Sequence, residues 1–377
     1  MDLVGFSLSA MSPPHSSRPS RLLSRVALVA LVPALLALSA CGGSSSADIS
    51  GASAASSPAT ELRLGYFANL THAAALIGVD KGLFAKELGA TKLTTRVFNA
   101  GPDEVEALFA GALDAAYVGP SPAVNAYGQS RGAAIRIIAG AASGGAELVV
   151  RDGINAAADL KGKTLASPQL GNTQDVALRT WLTSKGLKNS VTGGGDVTIK
   201  PTKNADVLNL FKSGKLDGGW LPEPYASRLV LEGSGHVLVD ERDLWPGGKF
   251  GTTNLVVRTG FLKQHPDAVA ALLRGHVAAV QLATADPAAA QASINAGLET
   301  AGSAALPAPT FERAWKELTV TYDPIASGLQ TASANALKAG TTDKKVDLAG
   351  IYDLKPLNTV LAALRMAPVS AAGLGIE

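Results

Sequence analysis

From Glu61 onward the chain alternates two hydrophobic periods. Short apolar or alternating runs predict strands at Leu62–Tyr66, Leu93–Phe98, Asp114–Val118 and Ile135–Ala139. Between them lie helical stretches. Phe67–His72 reads as a loop entering a small-residue helix, and Gly78–Gly89 reads as that helix ending and turning. Gly101-Pro102 opens a helix with proline at its first position, and Gly119-Pro120-Ser121-Pro122 leads into another. Strands separated by helices predict an α/β fold with a parallel sheet covered on both faces.

The stretch from Leu160 to Leu182 has the sharpest local signals. Lys163–Ala166 predicts a strand, and Asn172 predicts the N-cap of a helix, with Asp175 completing something close to a capping box. Val176, Leu178, Trp181 and Leu182 share one helical face, and Gly186 ends the helix. Gln169–Gln174 therefore sits where a strand's end meets a helix N-terminus, a place whose free N–H groups and dipole suit an anion. An ordinary well-capped turn has the same spacing. Gly162-Lys163-Thr164 resembles the end of a P-loop, but it precedes the strand and Ala157 stands where the first glycine belongs, so nucleotide binding is rejected.

Two internal echoes set the architecture. Ala110-Gly111-Ala112-Leu113-Asp114 before Ala115–Val118 is matched by Ser213-Gly214-Lys215-Leu216-Asp217 before Gly218–Leu221. Leu148-Val149-Val150-Arg151 is matched by Leu255-Val256-Val257-Arg258, each after a small polar turn, Ser143-Gly144-Gly145 or Gly251-Thr252-Thr253. The economical reading is two similar α/β lobes, the second inserted between two crossing strands. Ligands in such sheets bind beyond the carboxyl ends of the strands, so the lobes would face each other across a cleft.

The first forty residues read as a leader. Arg18, Arg21 and Arg25 precede the apolar run Val26–Leu38, which is too short to span a bilayer. Leu38-Ser39-Ala40-Cys41 is similar to a bacterial lipobox, in which the cysteine becomes the lipidated first residue, and residues 42–60 read as a flexible tether. Removing residues 1–40 leaves 30 basic and 30 acidic residues, and no basic block or aromatic-interleaved patch points to nucleic acid. The single cysteine excludes an internal disulfide and a cysteine metal cluster. His236, His265 and His276 share no metal spacing, and Asp240, Glu241, Arg242 and Asp243 read as a solvated turn.

The segments GYFANLTHAAAL, GALDAAYVGPSPAVNAY, ASGGAELVVR, LKGKTLASPQLGNTQDVALRTWL, LDGGWLPEPYASRL and FGTTNLVVR resemble substrate-binding proteins of ABC importers. The subgroup is the one for aliphatic sulfonates, taurine and nitrate, related to thiamine-pyrimidine precursor-binding proteins. The resemblance runs from about Glu61 to beyond Pro356. It implies a two-lobed periplasmic-binding-protein fold of type II: lobe I at 61–148 and 253–377, lobe II at 149–252. It implies a monomeric extracytoplasmic receptor held at the membrane through Cys41, with importer permease and ATPase subunits as partners and no cofactor or metal.

By position, the resemblance places Asn69, Thr71, His72, Gly119, Pro120 and Ser121 on the first lobe's side of the cleft, with Ser143 and Gly144 near the crossover. The second lobe brings Gln169, Gly171, Asn172, Thr173, Gln174, Trp220 and Glu223, and Thr252 and Thr253 lie at the return. Plainer roles compete: His72 as a helix cap, Trp220 as core, Glu223 as a loop brace. These loops contain no arginine or lysine, so backbone N–H and hydroxyl groups would hold the anion. A buried Glu223 would oppose a second negative charge and accept an ammonium or hydroxyl. Together these features favour taurine or an alkanesulfonate. Nitrate, a thiamine-pyrimidine precursor, or an enzyme on the same fold are the alternatives. No paired carboxylates or nucleophile arrangement supports the enzyme.

Overall fold

A computed structural model describes residues 58–377. The leader and Cys41 lie outside the described residues, as does the tether as far as residue 57. The first elements are β1 (Glu61–Phe67), α1 (Ala73–Asp80), α2 (Leu83–Leu88), β2 (Lys92–Phe98), α3 (Gly101–Phe109), β3 (Ala115–Val118), α4 (Pro120–Gln129) and β4 (Ile135–Gly144). A second sheet follows, from β5 (Ala146–Val150), β6 (Thr164–Ser167), α5 (Thr173–Ser184), β7 (Thr198–Pro201), α6 (Asn204–Lys212), β8 (Gly218–Pro222), α7 (Tyr225–Leu231) and β9 (His236–Asp240). The chain returns through β10 (Gly251–Arg258) to α8 (Thr259–Gln264), α9 (Pro266–Ala285), α10 (Pro287–Thr300) and α11 (Ala308–Lys316). It ends with β11 (Leu318–Val320), α12 (Leu329–Lys338), β12 (Tyr352–Asp353), α13 (Lys355–Ala363) and β13 (Gly375–Ile376).

The first sheet has the order β13-β12-β4-β10-β3-β1-β2, with β11 also on β4, and the second has the order β7-β6-β8-β5-β9. The shared pattern is the physical content of the echoes. In each sheet the strand after Leu-Asp runs parallel to the opening strand and antiparallel to the Val-Val-Arg strand, with Leu255 opposite Tyr117 and Leu148 opposite Trp220. Asp114 accepts the Arg63 N–H at 3.0 Å and pairs with Arg258 at 2.8 Å. Asp217 accepts the Thr164 N–H at 2.9 Å and lies 3.2 Å from Arg151. The repeated Asp and Arg are thus one ion pair, used twice to fasten three strands.

The expected parallel pairing holds for β1 with β2 and β3 and for β6 with β7 and β8, but β10 is antiparallel to β3 and β4, and β5 is antiparallel to β8 and β9. Both strands are reached by direct passage between sheets instead of a crossover helix, and a continuous apolar run carries no sign of direction. The two echoed Val-Val-Arg strands do not themselves cross: β5 (Ala146–Val150) belongs to the second sheet and β10 (Gly251–Arg258) to the first. The chain passes between sheets at Gly144-Gly145, both in the left-handed region, and through residues 241–250. Gly251-Thr252-Thr253 begins β10 and is not a turn.

Residues 83–88 form α2, not part of a turn. Phe84 is buried where α1, α2 and α9 meet at Gly78 and Gly275; an added Cβ at either glycine would fall within 3 Å of its ring. α9 is apolar and long enough to cross a membrane by length and composition, but much of it is buried in this core. The C-terminal segment returns to the first sheet, with Tyr352 of β12 opposite Ile137 of β4.

Candidate functional site

α5 begins where the pattern predicted, with Asn172 at the N-cap, but no side chain caps it. Asn172 Oδ1 instead accepts the Gly101 N–H at 3.2 Å, reaching the start of α3 from the first sheet. Asp175 reaches back to the Gly171 N–H at 3.0 Å, one residue before the N-cap, and accepts the Ser167 hydroxyl at 2.6 Å. It also pairs with Arg179 at 2.9 Å, both groups buried. Asp175 is therefore a brace for the loop 167–171. The N–H groups of the first turn of α5 stay directed along the helix axis without an intrahelical partner. Val176 leaves the expected face: it packs with Ala336 and Ala339, while Leu178, Trp181 and Leu182 enter the second sheet's core.

A cavity forms at this helix start. Asn69, Thr71 and His72 line it from the exit of β1, Gly119 from the exit of β3, Asn172, Thr173 and Gln174 from α5, and Thr252 and Thr253 from β10. Phe67, Asn204 and Pro222 complete it and were missed in the sequence. Asn204 was findable, since it opens α6 after β7 just as Gly101 opens α3 after β2. Among the described residues, no lysine or arginine lines the cavity. Its volume of ≈ 10 Å³ is about what one water needs.

Two polar atoms here, Thr173 Oγ1 and Asn204 Oδ1, are buried without a hydrogen-bond partner. Thr173 sits directly on Gly119, where an added Cβ would lie 2.3 Å from Oγ1. His72 occupies the N-cap of α1 but does not cap it. Its Nδ1 accepts the Phe67 N–H at 3.1 Å, which leaves the hydrogen on Nε2, and its ring stacks on Phe67. Burial lowers its pKa to about 3, so it is a neutral donor at ordinary pH.

Other expected residues fall elsewhere. Pro120 and Ser121 line a second cavity of ≈ 250 Å³, which also includes Thr173. Ser143 and Gly144 end β4 opposite β11, and Gly144 O accepts the Thr252 hydroxyl. Gln169 bonds Asp103 at 3.0 Å across the two sheets' loops. Gly171 serves Asp175, as above, in the left-handed region at φ 80.

Trp220 is core: it is fully buried, meets Trp181 edge-on and donates to Glu241 at 2.8 Å. Glu241 is accordingly buried, not part of a solvated turn. Burial raises its pKa to about 7, against the indole N–H groups of Trp220 and Trp245.

Glu223 is fully buried and engaged with protein. It accepts from Ser227 N–H at 3.1 Å and Arg313 at 3.0 Å, and Arg313 also holds Glu147 at 2.7 Å. Burial first and Glu147 second raise its pKa to about 7. The expectation that Glu223 faces a ligand's ammonium is corrected, because Arg313 of α11 already takes that place. Glu147, Asp240 and Glu317 cluster beside it, interleaved with Arg242 and Arg313.

Comparison with known proteins gives consistent likenesses. The chain is 30% identical over 210 residues to the taurine-binding periplasmic protein of Escherichia coli (strain K12), covering 54% of this chain and 61% of that protein. Among solved structures, the alkanesulfonate-binding protein SsuA from Xanthomonas axonopodis pv. citri bound to MOPS superposes with TM-score 0.64 at 22% identity, covering 77% of this chain and 96% of that one. The periplasmic nitrate-binding protein NrtA from Synechocystis PCC 6803 gives 0.67 at 18% identity, covering 81% and 89%. At these identities the structures establish the fold, the two-lobed periplasmic-binding-protein architecture. The sequence profile of the NMT1-like family matches residues 55–297, well over half the chain. The chain belongs to the NMT1-like family.

Proposed function

We propose that this chain is the solute-binding receptor of an ABC importer and not an enzyme. It captures a small organic sulfonate between its two lobes at the N-terminus of α5. One observation carries the reading. An uncapped helix start and the unpartnered, buried Thr173 hydroxyl face a cavity lined by amides, hydroxyls and a neutral imidazole, with no cation. Such a set of donors suits the dispersed charge of a monoanion. The names of the relatives point to sulfonates first and nitrate second.

The present cavity is too small for a sulfonate, so entry requires the lobes to part. The natural hinges are Gly144-Gly145 and residues 241–250, where the chain passes between sheets. A thermal-shift screen of the purified protein against sulfonates, nitrate, sulfate and pyrimidines tests the reading. A ligand at a hundred times its Kd adds about 2.7 kcal/mol of stability. Stabilisation by pyrimidines alone would replace the sulfonate reading. We further propose lipid attachment at Cys41, from its lipobox-like context. Cys41→Ser should move the protein from the membrane fraction to the soluble one, or leave it uncleaved. Unchanged processing and fractionation would refute the anchor.

A further inference from the structure

The larger cavity beside Thr173 has a composition of its own. Trp181, Trp245 and Phe250 form much of its wall, with Val176, Ile325 and Leu329. Trp245 and Phe250 are stacked at 5.5 Å and 14°. Glu241 also lines the cavity and accepts the Trp220 indole N–H at 2.8 Å. Its volume of ≈ 250 Å³ exceeds the roughly 150 Å³ apolar space that admits benzene.

The apolar wall is interrupted by polar atoms that lack partners. Thr173 Oγ1, Asn254 Oδ1 and Tyr352 Oη are all buried without a hydrogen bond, and all three residues line this one cavity. A buried polar atom of this kind carries an uncompensated desolvation cost unless a ligand or water meets it. Ile325 is held at φ 51, ψ 51, the left-handed region that β-branched residues avoid. Pro324–Asn335 and Tyr352 lie beyond residue 297, outside the segment matched to the family profile, so this wall is built by the chain's own C-terminal segment.

We propose that this cavity holds the organic body of the ligand, and that the body is an aromatic ring bearing a hydroxyl or amino group. The ligand class is then a substituted arenesulfonate. Its sulfonate meets the α5 start and Thr173, where the two cavities share a wall. Its ring lies against Trp245 and Phe250, and its donor reaches Asn254 Oδ1 or Tyr352 Oη. The inference rests on the sulfonate reading and narrows it away from taurine, since no free carboxylate among the described residues of the cavity awaits an ammonium; Glu241 is occupied by the Trp220 indole.

Calorimetry of the purified protein with methanesulfonate, taurine, benzenesulfonate, 4-hydroxybenzenesulfonate and phenol tests it. Benzenesulfonate should bind about ten- to a hundredfold tighter than methanesulfonate, the factor that burying a ring of phenylalanine size supplies. The 4-hydroxyl should add roughly another two- to tenfold, and taurine should do no better than methanesulfonate. Gly328 provides the second arm: it has ordinary helical angles, and an added Cβ would meet the Trp245 ring at 3.5 Å. Gly328→Leu should narrow the ring space and reduce the benzenesulfonate-to-methanesulfonate ratio at least tenfold. Equal affinity for methanesulfonate and benzenesulfonate in the parent, or an unchanged ratio in the variant, overturns the ring site and leaves the sulfonate reading standing. Binding of phenol without any sulfonate overturns the sulfonate reading and this ligand class together, as does binding of none.

Discussion

An added Cβ at Gly119 would lie 2.3 Å from Thr173 Oγ1, so the absence of a side chain at one residue is what lets the other lobe's helix start sit against it. Roles of this kind are invisible in a sequence until the partner is known. The loops that line the cavity were legible because turn chemistry is local: Asn69–His72, Gly119 and Asn172–Gln174 each follow a strand. Which side chains turn inward was not legible. Trp220 lies within β8 and Glu223 just after it, yet one fills the core and the other pairs with Arg313, which is ninety residues distant. His276 gives a prediction at this scale. It is fully buried, bonds the Tyr117 hydroxyl at 2.9 Å, and burial lowers its pKa to about 4. The folded pKa lies below the unfolded value near 6.5, so its contribution is present above pH 6.5 and is lost as pH falls toward 4. His276→Gln keeps a polar partner for Tyr117 but removes the titration. The stability of the parent relative to the variant should therefore fall by roughly 3 kcal/mol between pH 6.5 and 4, read by urea unfolding. A difference that does not change with pH would contradict the assignment.

Among elements, α5 bears the site, and its start was legible from Asn172 while its fastening was not. The pattern suggested a capping box, but Asn172 bonds Gly101 and Asp175 serves Gly171, Ser167 and Arg179. Helix existence is a local property, whereas the partner of each cap atom is tertiary. α2 was lost to the glycines around it, and β10 was cut short because Thr252-Thr253 reads equally as turn or strand. Thr173→Pro removes a hydroxyl and an N–H at a position where proline is tolerated. Loss of even one hydrogen bond to a charged group costs about 1.5–3 kcal/mol, so affinity for a sulfonate should fall at least about tenfold. Thr173→Ser should stay within a few-fold. With the far-UV spectrum and the unliganded melting temperature unchanged, undiminished binding in Thr173→Pro would move the anion away from α5.

For the whole molecule, the echoes carried the architecture. The repeated Leu-Asp and Val-Val-Arg segments become the same ion pair and strand order in both sheets. The passages between sheets were misplaced because a hinge is defined by what it does not pair with, and a pattern of apolar residues records only pairing. Here the sheets meet through the Gly101–Asn172 and Asp103–Gln169 bonds, the Leu70 N–H on Glu223 O, and Thr173 against Gly119. Arg313 and Arg242 add ion pairs from the ends of β5, β8 and β9 to α11 and Glu317. If capture works by closing these contacts around an anion, the unloaded protein must spend time with them open. The most direct test is small-angle scattering of the purified protein with and without a saturating amount of the sulfonate that stabilises it most. The radius of gyration should be smaller when loaded; an unchanged radius at proven saturation would contradict capture by closure of the two lobes.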